Sequence, residues 1–196
     1  MLIFPDKHRD KSTVTQKLRD DIISESVFYD GKSYLEIGSS YGHTALSVSH
    51  AYKKIVCVEN DEERHLASLR KQDELRWFET LPDVEIVNVF GTIEDLSQGS
   101  YDVILIDASH RYEDVKNDFV TLLSKNDSKS FTVFFHDYGL LGDDVGVKRY
   151  IEETFLEDEI QFAGEQDGWN PRGRGVLGFE AAKVVVNESI KKRVLG

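Results

Sequence analysis

Cysteine is nearly absent from this chain of 196 residues: Cys57 stands alone. That excludes an intramolecular disulfide and fits a reducing compartment, so a cytoplasmic location is expected. No apolar run reaches the roughly eighteen residues a membrane helix needs, and no membrane partner is expected. The opening stretch, Met1 to Asp10, lacks the apolar core of a secretory signal. Basic residues are short as well: 24 Lys and Arg against 36 Asp and Glu leave a formal charge of -12. Such a balance argues against nucleic acid gripped through its phosphates, so no nucleic-acid partner is expected. Neither an internal repeat nor a linker interrupts the chain. One domain over 1–196 is expected, with a helical cover at 1–30, a core at 31–180 and a tail at 181–196. Oligomeric state is left open, a homodimer included.

Two nucleotide signatures are missing too. The first glycine turn has no G-x-x-x-x-G-K-[ST], which excludes a phosphate-cradling P-loop. Ser40 stands where the G-x-G-x-x-G fingerprint of dinucleotide enzymes has its middle glycine. What is present is the stretch Ser33-Tyr-Leu-Glu-Ile-Gly-Ser-Ser-Tyr-Gly-His-Thr44. Tyr34, Leu35 and Ile37 read as a buried strand ending at Gly38. Gly42 follows, and then His43, Thr44, Ala45, Leu46 and Val48 carry helical spacing. Strand, glycine turn and helix open a nucleotide-binding α/β domain, because glycine lets backbone approach a ligand and a helix start offers unpaired N–H groups. Ser39, Ser40 and Thr44 lie in that turn and helix start as candidate contacts. About twenty residues on, a second apolar run, Ile55 to Val58, ends in Glu59 and Asn60, and an acidic strand tip suits a ribose diol. Glu36, just before the first glycine, would repel a pyrophosphate and suits a ligand with an ammonium group.

The rest of the chain alternates strands and helices. Ser12 or Thr13 is expected to cap a helix carrying Val14, Leu18, Ile22 and Phe28, closed by Asp30-Gly31. A helix over about 61–78, capped by Asn60-Asp61, is broken by Leu81-Pro82 before a third strand, Val84 to Phe90. Gly91, Thr92 and Ile93 follow it. The fourth strand, Tyr101 to Ile106, is a continuous apolar run of the kind covered on both faces. It ends in Asp107-Ala-Ser-His110, and a helix over about 112–125 follows. The fifth strand, Ser130 to Phe135, delivers His136-Asp137-Tyr138. Ligands of open parallel sheets sit beyond the carboxyl ends of the strands, so Glu36, Gly38, Asp107, His110, His136 and Asp137 should share one rim. Two carboxylates and two imidazoles there can hold a divalent cation or supply a base. Val147 to Phe155 reads as another helix. Ile160 to Ala163 and Gly175 to Phe179 are short strand candidates, and Trp169, Arg172 and Arg174 lie on the loop between them. Val184-Val-Val186 and the basic finish are open between packed helix, strand and flexible tail.

Glu36-x-Gly38-x-x-x-Gly42 resembles the first motif of class I S-adenosylmethionine-dependent methyltransferases. Asp107-Ala-Ser-His110-Arg-Tyr112, His136-Asp137-Tyr138 and Gly146-Val147-Lys148 look like their macrocin/catechol O-methyltransferase branch. The match spans roughly residues 33–150. The resemblance implies a Rossmann-like class I methyltransferase fold: a mostly parallel seven-stranded sheet, helices on both faces and an antiparallel C-terminal hairpin. It implies S-adenosylmethionine as cofactor, with Gly91, Thr92 and Ile93 beside the adenine. Carried over by position, Asp107 and Asp137 would be magnesium ligands and His110 the general base. His136 departs from the branch, which often has aspartate there. Imidazole is a poor magnesium ligand, so Mg2+, a softer divalent cation or no metal at all stays open.

The expected reaction is methyl transfer to a hydroxyl of a small-molecule acceptor. A domain that binds S-adenosylmethionine without catalysis is the alternative. An NAD-dependent oxidoreductase is the other, opposed by Glu36 and by the missing second glycine.

Overall fold

Neighbouring residues of a strand face opposite ways, so a strand buried on both sides must be apolar at every position. The run Val103 to Ile106 meets that condition throughout, and the strands on either side of it depart from it at the buried polar residues Ser33, Glu36, Thr132 and His136. In the computed structural model, which describes residues 13–29, 33–77, 83–167, 169 and 175–196, seven strands form one sheet. They are β1 (Ser33–Ile37), β2 (Lys54–Glu59), β3 (Glu85–Phe90), β4 (Val103–Ile106), β5 (Phe131–His136), β6 (Ile160–Gln166) and β7 (Phe179–Val186). Their order is β3-β2-β1-β4-β5-β7-β6. The first five run parallel, and β7 is antiparallel to both β5 and β6. This is the Rossmann-like sheet expected.

Among the described residues six α-helices cover it: α1 (Gln16–Glu25), α2 (His43–Val48), α3 (Glu62–Trp77), α4 (Tyr112–Lys125), α5 (Val147–Thr154) and α6 (Glu188–Leu195). Leu35, Ile104, Ile106, Val133 and Phe135 face one core, against Phe119 and Leu122 of α4, Ile151 of α5 and Ile190 of α6. Tyr34, Ile55, Val103, Leu105 and Phe134 face the other, against Leu18 and Ile22 of α1 and Ala45 and Val48 of α2. At α3, Gln72 and Asn88 of β3 exchange two side-chain hydrogen bonds of 2.9 Å. Asp61 caps the same helix, its Oδ1 accepting from the Arg64 N–H at 3.0 Å.

Several boundaries differ from expectation. Thr15, rather than Thr13, caps the first described helix, its hydroxyl accepting from the Leu18 N–H at 3.2 Å, and Ser12 lies outside the described residues. That helix stops at Glu25, and a 3-10 turn, Ser26–Phe28, leaves Phe28 exposed instead of packed. His136 is the last residue of β5, because its backbone still pairs with Ala181. The last strand is Phe179–Val186, not Gly175 to Phe179; Val176 makes only an isolated bridge to Leu140. The stretch from 181 is therefore no tail. Ala181, Ala182, Val184 and Val186 are fully buried beside β5, and α6 packs behind them through Ile190. Asp30-Gly31, Phe78, Leu81-Pro82, Arg172 and Arg174 lie outside the described residues.

One aromatic side chain ties α4 to its core. The Phe119 ring meets Phe135, Phe155 and Tyr150 edge-on, with centroids 5.3, 5.5 and 6.4 Å away. Removing it empties the junction of α4, α5 and β5. Phe119→Ala is expected to cost about 3–5 kcal/mol, read as a lower urea midpoint with an unchanged m-value.

Candidate functional site

Strand order reverses between β1 and β4, and a crevice opens beyond the carboxyl ends at such a point. A cavity of about 900 Å³ occupies it. Its floor depends on one glycine. Gly38 has φ +84°, and a Cβ there would stand 2.4 Å from the Asp107 carbonyl oxygen. Only glycine lets the first turn lie that close to the tip of β4. The N–H groups of Gly38 and Ser39 both donate to the Val58 carbonyl, at 2.9 and 3.0 Å. Ser40 is left-handed at φ 51°, an unusual state for a residue with a side chain. Its N–H donates to Glu59 Oε2 at 2.5 Å, while Glu59 Oε1 accepts from the Asp61 N–H at 2.9 Å. Glu59 thus holds the turn after β1 and the entry to α3 in one grip.

Glu36 is 2% exposed and takes a hydrogen bond from the Tyr34 hydroxyl at 3.3 Å. Burial, and then the negative charge of Asp107, pushes its carboxyl well above the ordinary value, against the pull of Tyr34 and Arg19. A cation entering the cavity would reverse that balance.

The tips of β4 and β5 carry a chain of paired groups. His110 Nε2 lies 2.7 Å from Asp137 Oδ2. His136 Nδ1 lies 2.8 Å from Asp107 Oδ1 and 3.3 Å from Asp137 Oδ2. Asp137 is aimed back into this cluster by a left-handed backbone, φ 59°. Its hydrogen bond to Asp137 raises the His110 imidazole, with burial opposing. Burial alone would lower His136; the charges of Asp107 and Asp137 outweigh it and hold that ring well above its ordinary value. In turn, although burial works the other way, His136 and His110 hold the Asp137 carboxyl well below the usual carboxylate range. Asp107, His136 and Asp137 each place a donor atom within 4.8 Å of the other two, a spacing that can surround a divalent cation.

Most of the expected residues line the cavity: Glu36, Gly38, Ser39, Ser40, Thr44, Glu59, Asn60, Gly91, Thr92, Ile93, Asp107, His110 and Asp137. Two do not. Gly42 lies beneath the turn at φ +73°, where a Cβ would meet Ser68 Oγ at 2.3 Å, so its role here is to let α2 start against α3. His136 lies behind the wall, 2% exposed. Trp169 is buried there too, edge-on to the His136 ring at 5.8 Å, rather than in the cavity. The sequence reading missed Asp114, Asn117 and Asp118 of α4, which also line the cavity. Their i, i+3, i+4 spacing on one helix face was a usable signal. It missed Asp144 as well, because loop direction has no periodicity.

A family model described as a methyltransferase domain matches residues 35–138, just over half of the chain. The chain belongs to that family. Membership implies S-adenosylmethionine as cofactor and favours it over the nicotinamide alternative. No curated protein sequence matches the chain. Among solved structures it is similar to the bifunctional kinase-methyltransferase WbdD, with a TM-score of 0.60 and 17% identity over 94% of this chain and 42% of that one. It is similar to a dimethyladenosine transferase from Plasmodium falciparum, with a TM-score of 0.58 and 14% identity over 90% and 64%. For the cyclopropane synthase MmaA2 from Mycobacterium tuberculosis the TM-score is 0.51, with 16% identity over 63% and 42%. At such identities the likeness establishes the methyltransferase fold. The chain spans between 42% and 56% of the length of three of the structures it matches.

The methyltransferase cavity carries its own pH marker. Burial, and then the charges of Asp114 and Glu94, pushes the Asp118 carboxyl up to about 6 from an ordinary 3.8. Because the folded value is the higher one, ionising Asp118 costs the folded state nothing below about pH 4. The cost grows as pH rises and is complete above about pH 6. At most that is about 3 kcal/mol, and partial exposure screens it to about 1 kcal/mol. Asp118→Asn should therefore raise the Tm by about 3 °C at pH 8, a gain that shrinks towards pH 4 in thermal melts followed by circular dichroism.

Proposed function

We propose that this domain transfers the methyl group of S-adenosylmethionine to a hydroxyl of a small-molecule acceptor, with His110 as the base. The observation that carries the reading is His110 itself. It lines the cavity, with Nε2 2.7 Å from the buried carboxylate of Asp137. A base oriented by a carboxylate at the mouth of a cofactor cavity is the arrangement general-base chemistry needs. The resemblance of Asp107-x-x-His110 to the O-methyltransferase branch supports the same role. Asp137 accepts the Nε2 hydrogen, which leaves the Nδ1 lone pair to take the hydroxyl proton. The oxygen attacks the methyl carbon, the C–O bond forms, the C–S bond of the sulfonium breaks, and S-adenosylhomocysteine leaves. Positioning supplies much of the rate, since a sulfonium methyl needs little further activation.

The cofactor contacts follow from the cavity wall. Glu36 would take the ammonium group and shed its raised pKa in doing so. Glu59 keeps lone pairs on both oxygens for the ribose diol, beyond the two N–H groups it already holds. Gly91, Thr92 and Ile93 would border the adenine. Arg64 and Arg111 are the cationic side chains on a wall that also carries Glu36, Glu59, Asp107, Asp114, Asp118, Asp137 and Asp144. That sign supports a neutral or cationic small molecule over a polyphosphate chain.

The cluster behind the base fits a divalent cation with nitrogen and oxygen tastes. Two carboxylates and one imidazole suit manganese or zinc better than magnesium, which favours oxygen donors throughout. Asp107, His136 and Asp137 would hold it, and bound there it would lower the pKa of the acceptor hydroxyl.

Two variants test the reading. Titration calorimetry should show S-adenosylhomocysteine binding at micromolar strength, weakened at least about tenfold in Glu59→Ala, one charge-assisted contact being worth about 1.5–3 kcal/mol. With an acceptor found by screening hydroxyl compounds, His110→Ala should lower kcat about 100-fold and leave cofactor affinity unchanged. Cofactor binding without consumption by any acceptor would instead support a non-catalytic binding domain.

A further inference from the structure

Behind His136, away from the cavity, lies a carboxylate that none of the chemistry above uses. Glu180 of β7 is fully buried. A carboxylate in such a place is costly unless donors surround it. Its Oε1 accepts from the Thr15 N–H at 2.8 Å. Its Oε2 accepts from the Thr15 hydroxyl and from the Glu165 N–H, the latter at 3.2 Å. Gly164, at φ +77°, makes room for it: a Cβ there would strike Glu180 Oε2 at 2.4 Å. Three elements, the cap of α1, the bulge of β6 and β7, are thus shaped around one side chain.

The fourth neighbour is His136. Its Nε2 is buried without a hydrogen bond, and the acceptor facing it is Glu180 Oε1 at 3.4 Å. Its other nitrogen, Nδ1, faces Asp107 and Asp137 at 2.8 and 3.3 Å. Donor atoms around an ion at about 2.1 Å stand about 3–3.4 Å apart, close to this spacing. An imidazole ligand has to present a lone pair on one nitrogen, and a carboxylate beyond the other nitrogen fixes which one. Trp169, packed edge-on to the ring, closes that side of the cluster.

We propose that Glu180 is a positioning residue for His136: it keeps the ring hydrogen on Nε2, turning the Nδ1 lone pair to the gap between Asp107 and Asp137 and making that gap selective for a manganese- or zinc-type cation over magnesium. This rests on the cation reading above. Glu180 touches neither cofactor nor acceptor; it acts through the histidine. Because it also receives the cap of α1, the N-terminal helix and the cation gap are held by the same carboxylate.

The test is calorimetric titration of MnCl2, ZnCl2 and MgCl2, each alone, into the full chain without cofactor. Wild type should bind manganese or zinc at one site at least about tenfold more tightly than magnesium. Glu180→Gln should weaken that binding about tenfold, while S-adenosylhomocysteine affinity in the same samples stays put. His136→Asp, which needs no change at Glu180, should move the preference to magnesium, and adding Glu180→Gln to it should change nothing further. If Glu180→Gln does not fold, Glu180→Asp decides: it keeps the charge but draws it back from Nε2, so it should weaken manganese or zinc binding at least about threefold, and unchanged affinity overturns the proposal. The proposal is overturned by folded wild type that binds none of the ions, by equal affinity for magnesium, or by Glu180→Gln binding as wild type does. Cofactor binding with no ion bound would sink the inference and spare the cofactor reading; ion binding with no cofactor bound would do the reverse.

Discussion

Among the described residues, the glycine that lies closest to another stretch of backbone is Gly38, against the carbonyl of Asp107. Two parallel strands end side by side, and the backbone of one turn occupies the space a side chain would need on the other. Because that contact admits no Cβ, the turn after β1 folds over the tip of β4. The strained Ser40, the grip of Glu59 and the placing of Asp107 in the cavity wall all follow. Backbone strain of about 1–3 kcal/mol at such a residue persists only where neighbours over-determine it, and here a carboxylate on the next strand does so.

A second constraint is electrostatic. His110, Asp137, His136 and Glu180 form an alternating series of imidazoles and carboxylates running from the cavity into the interior, with Asp107 joining it from the cavity wall at His136. Each buried group is tolerable because its neighbour has the opposite preference. The series joins the base on the loop after β4 to the N-terminal helix, which shares no sequence neighbourhood with it. It also explains why the sheet needs β7 next to β5. Antiparallel pairing of His136 with Ala181 brings Glu180 alongside the histidine.

What could be read along the chain was what depends on local period and spacing. The apolar runs of the central strands, the Glu36 to Gly42 turn and the acidic tip at Glu59 are local patterns, and they lie where the pattern says. The rim of Asp107, His110 and Asp137 was legible because strand ends of a parallel sheet point the same way. Boundaries slipped where a local pattern had two solutions. Thr15 caps the first described helix although Thr13 carries the same chemistry, and Val184 to Val186 suited helix or strand equally.

Sequence by itself determined the alternation of strands and helices, the glycine turn and the set of titratable groups at the strand tips. Those rest on hydrophobic period and on backbone freedom, which neighbouring residues decide. Tertiary structure alone decided that His136 sits behind the cavity wall instead of in it, that Asp144 faces the cavity, and that Glu180 stands against a histidine 44 positions away. The physical reason is the same in each case. Burial and pairing depend on which elements meet across the sheet, and no window along the chain contains both partners.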